Sequence, residues 1–114
     1  IPGGVVKSFQ LRELAAIGEY GRGVTAYHRQ VIGADTVPDA YAGAQSAYIR
    51  ALENLNRAFS LWSSAAAAYD MKAYATAKET LARADEAWRE YAIAIDDYER
   101  ELLAAKAGEA LPPA

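Results

Sequence analysis

From Tyr74 to Ala105 the residues Tyr74, Ala77, Leu81, Ala84, Trp88, Tyr91, Ile95, Tyr98, Leu102 and Ala105 follow one another at steps that alternate three and four without a slip. Such a row keeps one face of a long helix turned toward other helices. Between its members lie Lys78, Glu79, Arg83, Asp85, Glu86, Arg89, Glu90, Asp96, Asp97, Arg100 and Glu101, which read as a solvated face. A lone helix cannot bury a seam of this length, so the rest of the chain is read as its cover.

Two more rows precede it. In the second, Tyr48, Leu52, Leu55, Phe59, Trp62, Ala66 and Tyr69 share the same spacing, and the frame extends back to Gln45 and Tyr41. Gln45 is polar in an apolar row unless Ala44 turns inward there instead. Carried forward from Tyr69, the frame meets Ala73, Thr76, Thr80, Arg83, Ala87 and Glu90, a row read as polar, whereas the apolar row resumes one residue later at Tyr74. The break falls at Asp70–Met71–Lys72, and Asp70 can cap a new helix. A tight hairpin is therefore predicted, rather than one continuous helix with a phase shift. The joint from Tyr69 to Ala77 resembles the helix–turn–helix joint of tetratricopeptide repeats, which implies a helical hairpin. These helices are about twice as long as that repeat allows.

The first row is Leu14, Ile17, Gly21, Val24, His28 and Val31, with a second stripe of Phe9, Ala16, Tyr20 and Tyr27 on another face. Gly18, Gly21 and Gly23 fall close together. Each costs ~1 kcal/mol relative to alanine inside a helix, so a close helix crossing or a kink is expected there.

Helix ends follow from local chemistry. Ser8 can cap the first helix and Gly33 can end it in the left-handed conformation. Thr36 and Asp39 form a candidate capping box around Pro38, and Gly108 with Pro112–Pro113 ends the third helix. The predicted helices span about 6–32, 37–69 and 71–107 within one domain, residues 1–114. The fold class is all-α: an antiparallel up-down-up three-helix bundle with long helices. Ile17, Val24, Leu55, Phe59, Trp62, Leu81, Trp88 and Ile95 are the expected core.

Composition narrows the function. Apolar residues make up 53% of the chain, but 27 of them are alanine, so large apolar side chains are scarce. The net charge is -3 and there is no basic tract, which argues against a nucleic-acid partner. Cysteine is absent, so disulfides and thiolate metal sites are excluded. No apolar run approaches the ~20 residues of a membrane span. The chain begins with Ile1 rather than Met. That weakly favours an exported or extracytoplasmic protein, or the soluble part of a larger or anchored one.

Candidate chemistry is thin. His28 is the only histidine and Met71 the only methionine, and no Glu precedes His28 by three residues, so a metal or haem site lacks ligands. The acidic residues Glu53, Glu79, Asp85 and Asp96 each stand four before an arginine, which suits an exposed helix face better than a cation site. Ser63–Ser64 has no nucleophile elbow and no phosphate-binding loop exists. No catalytic residue, cofactor or metal is expected.

The expected function is a non-enzymatic structural or protein-interaction module. Three helices bury one seam each, and this chain carries more apolar stripe than that. The surplus includes Phe9, Ala16, Tyr20, Gly23 and Tyr27 on the first helix and the small-residue face with Ala44 and Ala51 on the second. A homodimer or a partner helix would cover this face. The alternative is a small-ligand carrier with a pocket formed by Tyr48, Trp62, Trp88, Tyr91 and His28.

Overall fold

The computed structural model describes residues 8–110, the side chains of Ser8, Phe9 and Ala110 excepted. They form three helices, α1 (Ser8–Ala34), α2 (Ala42–Asp70) and α3 (Tyr74–Ala110), with a 3-10 turn at Asp39–Tyr41 leading into α2. The order is up-down-up and antiparallel. α2 is the central helix. α1 and α3 both pack on it, and among the described residues α1 and α3 nowhere approach each other backbone to backbone. The bundle is therefore open along one side. The Ser8 cap and the packing of Phe9 concern side chains outside the described residues.

The α2–α3 hairpin forms where the frame breaks. Lys72 adopts φ 61. The amide of Ala73 donates to the carbonyl of Ala68 at 2.8 Å, and that of Lys72 to Tyr69 at 2.9 Å. This is a Schellman motif, which satisfies the last carbonyls of α2. Glycine is the usual occupant of the left-handed position, and here lysine bears its strain. Asp70 is the last residue of α2 and does not cap α3, because the chain needs three further residues to reverse. The rings of Tyr69 and Tyr74 meet at the hairpin with centroids 6.1 Å apart.

The other predicted ends differ. Gly33 is helical, and no described glycine has a positive φ. The Thr36–Asp39 capping box does not form, since Pro38 opens a 3-10 turn with no side-chain cap. Gln45 closes α1 instead, its Nε2 donating to the carbonyls of Ile32 at 2.8 Å and Asp35 at 2.9 Å. A polar residue in an apolar row thus serves the orphan carbonyls of a neighbouring helix, while Ala44 beside it is buried. Gly108 does not stop α3, which continues to Ala110.

The glycines set how α1 docks. Gly18 and Gly21 are buried. A Cβ at Gly18 would stand 2.8 Å from the Phe59 carbonyl oxygen and 2.8 Å from the Ser63 nitrogen, and one at Gly21 would strike the Phe59 ring. Backbone lies on backbone at this crossing, and α1 runs through it as one helix. The row that faces α2 is therefore Leu14, Gly18, Gly21 and Thr25, with Leu11 and Ile32 partly buried at its ends. It is rotated from the predicted row, so Ile17 and Val31 are exposed and Val24 only partly covered. A polar latch fixes the register: Asn56 Nδ2 donates to the Arg22 carbonyl at 2.8 Å and to Thr25 Oγ1 at 2.9 Å, and that hydroxyl donates to the Gly21 carbonyl.

The core is likewise built from small side chains. Ala44, Ala47, Ala51, Ala58 and Ala65 of α2 are buried, as are Ala77, Ala84, Ala87, Ala94 and Ala105 of α3. The backbone of α3 approaches only α2 and the 3-10 turn, so its alanine row faces them. Leu14 is the largest side chain buried almost completely, at 1% exposure. Of the expected core only Leu81 is buried. Val24, Leu55, Phe59, Trp62, Trp88 and Ile95 remain partly covered, and Ile17 is 48% exposed. Leu52, Tyr69 and Leu81 are the larger side chains buried among these alanines, and the other seam rings are only partly covered.

Gly18→Ala should lower stability by ~1–3 kcal/mol, because the new methyl forces α1 off α2. Gly23→Ala, with nothing within 4 Å of the new Cβ, should raise it by up to ~1 kcal/mol through helix propensity. Denaturant titration of the pair checks both signs. Lys72→Gly should also raise stability, by ~1 kcal/mol, by relieving the left-handed lysine. An unchanged or lowered unfolding midpoint would contradict that account of the hairpin.

Candidate functional site

The open side of the bundle carries the large apolar side chains that the alanine seams exclude. Between α1 and α2 lies a groove of about 380 Å³, lined by Ala16, Ile17, Tyr20, Gly21, Val24, Thr25, Leu55 and Phe59. Its floor exists because Gly21 has no side chain: the Phe59 ring sits where a Cβ would be. Phe59 also belongs to an aromatic cluster that reaches α3. Its centroid is 5.8 Å from Trp62 and 5.4 Å from Trp88, Trp62 and Trp88 are 5.3 Å apart, and Tyr91 lies edge-on to Trp88 at 6.1 Å. Further along, Tyr48 and Tyr98 pair at 5.0 Å. Groove and cluster thus form one apolar surface joined at Phe59. Every ring in it is only partly buried except Tyr20, which is exposed.

Beyond the groove the apolar strip continues along α1. Tyr20 is 76% exposed, Tyr27 66% and Val31 41%. Isolated exposed apolar residues are ordinary; here they form a strip beside a groove.

The opposite edge of α1 is polar. Arg22 donates to Glu19 at 2.6 Å and Ser63 Oγ to Glu19 at 2.8 Å. The hydrogen bond from Arg22, followed by that from Ser63, holds the Glu19 carboxyl below the usual glutamate range. A lowered carboxylate contributes stability above its ordinary pKa, and that contribution is lost as pH falls through the lowered one. Arg29 and Glu53 approach at 3.5 Å on the surface, where such pairs add little. At the far end the Tyr41 hydroxyl donates to Glu109, which raises the phenol's pKa and ties the 3-10 turn to the end of α3.

The predicted interaction face is divided by the fold. Ala16, Tyr20, Gly23 and Tyr27 are exposed together on α1. Ala44 and Ala51 are buried inside the chain, at 4% and 1% exposure, and so contribute nothing to an outer face. Their small size serves close packing within the bundle, which the sequence pattern could not distinguish from packing between chains. Leu55 and Phe59 complete the groove and were missed as site residues because their heptad positions read as core. Of the alternative pocket, Trp62, Trp88 and Tyr91 fill one another's space, Tyr48 pairs with Tyr98, and His28 stands exposed on α1 against the Tyr27 ring at 5.9 Å.

Among the described residues no three His, Cys, Asp or Glu side chains converge as metal ligands, and no helix is long and apolar enough to cross a membrane. Compared with known proteins, the chain matches no family model, no curated protein and no solved structure.

The groove predicts an asymmetry between two apolar residues of α1. Val24→Ser should leave stability within ~1 kcal/mol, since Val24 is only partly covered, whereas Leu14→Ala should cost ~2–5 kcal/mol as a buried deletion. Equal losses from the two, measured by thermal unfolding, would mean that the groove is closed in solution.

Proposed function

We propose that this chain is a non-enzymatic protein-interaction module that receives an amphipathic helix along its open side, from a partner protein or from a second copy. The observation that carries this reading is the continuity of the partly exposed apolar surface from Ile17, Tyr20 and Val24 through Leu55 and Phe59 to Trp88 and Tyr91. It lies between two helices that both pack on α2 and not on each other. A fourth helix laid there would meet apolar side chains from all three, which is how helix-in-groove recognition works. Tyr and Trp at its centre are the residue types that dominate such interfaces.

The volume of the groove also falls in the range of small-ligand sites. Its open side favours the helix, because small-ligand sites enclose most of their ligand's surface and this one has walls on two sides only.

Helical peptides selected by display against the purified protein provide the test. A selected peptide should shift the amide resonances of Ile17, Tyr20, Val24, Leu55 and Phe59, and Tyr20→Lys should weaken its binding by at least ~30-fold, the scale of an aromatic hot spot. Peptides that bind elsewhere, or that ignore the Tyr20 substitution, would refute the reading.

A further inference from the structure

Resting on that reading, we propose that the helix received along the open side is α1 of a second copy of this chain, laid antiparallel to the first in a twofold interface. The face supplies both halves of its own fit. Tyr20 projects from it, and the hollow over Gly21, walled by Ile17 and Val24 and floored by Phe59, lies directly beside that projection. An interface between two identical surfaces requires each projection to meet a hollow on the same surface, and a twofold axis passing beside residues 20 and 21 satisfies both at once. Tyr20 of each copy then enters the hollow over Gly21 of the other.

Charge selects the antiparallel sense. Glu13 stands seven residues before Tyr20 and His28 seven after Gly21, so both share the strip's side of α1, one at each end, and both are exposed. Between them Ile17, Tyr20 and Val24 carry no charge. The register that seats Tyr20 over Gly21 also sets Ile17 against Val24 and Glu13 against His28 of the other copy, a carboxylate beside an imidazole at both ends. A parallel arrangement would set Glu13 against Glu13. A carboxylate that meets an imidazole N–H donor in one sense and a second carboxylate in the other fixes orientation in this way.

Sedimentation equilibrium of the whole chain, from micromolar to submillimolar concentration, tests the proposal. The wild type should sediment as a dimer. Tyr20→Glu, a change at an exposed position, should keep the helical circular dichroism and weaken association by at least ~30-fold. Glu13→Lys should weaken it by removing the acceptor for the imidazole, and adding His28→Glu should restore it, since the swap sets an ammonium against a carboxylate at both ends. A wild type that stays monomeric overturns the proposal, as does a dimer indifferent to Tyr20→Glu or a charge swap without rescue. A monomer that still binds a displayed helical peptide along the groove would overturn the second copy as occupant and leave the interaction-module reading standing.

Discussion

Backbone contact at Gly18 governs the architecture. With the position of a Cβ occupied by the Phe59 carbonyl and the Ser63 amide, α1 can approach α2 only with this face inward. That fixes the rotation of α1 about its own axis. Leu14 and Thr25 turn in with the glycines, and Ile17 and Tyr20 turn out with no further choice. Two glycines that are unfavourable for an isolated helix are here the condition for its docking. The Asn56–Thr25–Arg22 latch adds direction to a contact that has little side-chain substance of its own.

The same principle operates between α2 and α3, with alanine in place of glycine. Rows of buried methyls, with Leu52, Tyr69 and Leu81 among them, bring two long helices together, and the seam rings Phe59, Trp62, Trp88 and Tyr91 lie at its edge. Each buried methyl contributes ~1 kcal/mol or less, so the hairpin depends on length and on many small contacts. The aromatic cluster of Phe59, Trp62, Trp88 and Tyr91 then lies at the rim of the interface, where it can add to stability and still present ring faces to a partner. Fold and proposed binding surface therefore have one origin: the interior is mostly alanine and glycine around a few larger side chains, and most of the large rings lie outside it.

Three helices, their antiparallel order and the hairpin at Asp70–Lys72 were legible in the sequence, because heptad steps and a frame break are properties of single helices. The rotation of α1 was not. Its pattern offers the larger row of Leu14, Ile17, Val24 and Val31, and hydrophobic weight alone favours burying it; the structure buries the row with Gly18 and Thr25 instead. What decides is the clearance between two backbones, which depends on the opposing residues of α2 and cannot be read along α1. Ala44 and Ala51 show the same limit, since an alanine face looks identical whether it meets another chain or its own. Tyr20 and Tyr27, on the second stripe of the first helix, lie exposed. Gln45, a polar residue in an apolar row, was a visible anomaly, and its two carbonyl partners on α1 and the following turn explain it.

The central claim is that α1 meets α2 through its glycine face. Nuclear Overhauser contacts on the dilute protein test it most directly. Cross-peaks from the Gly18 Hα protons to the Hα and amide of Ser63, with none from the Val31 methyls to any α2 residue, are the expected result. Strong contacts from Ile17 and Val31 methyls into the α2 seam, with the Gly18 protons silent, would show α1 docked on its larger row and would contradict both the fold and the binding surface derived from it.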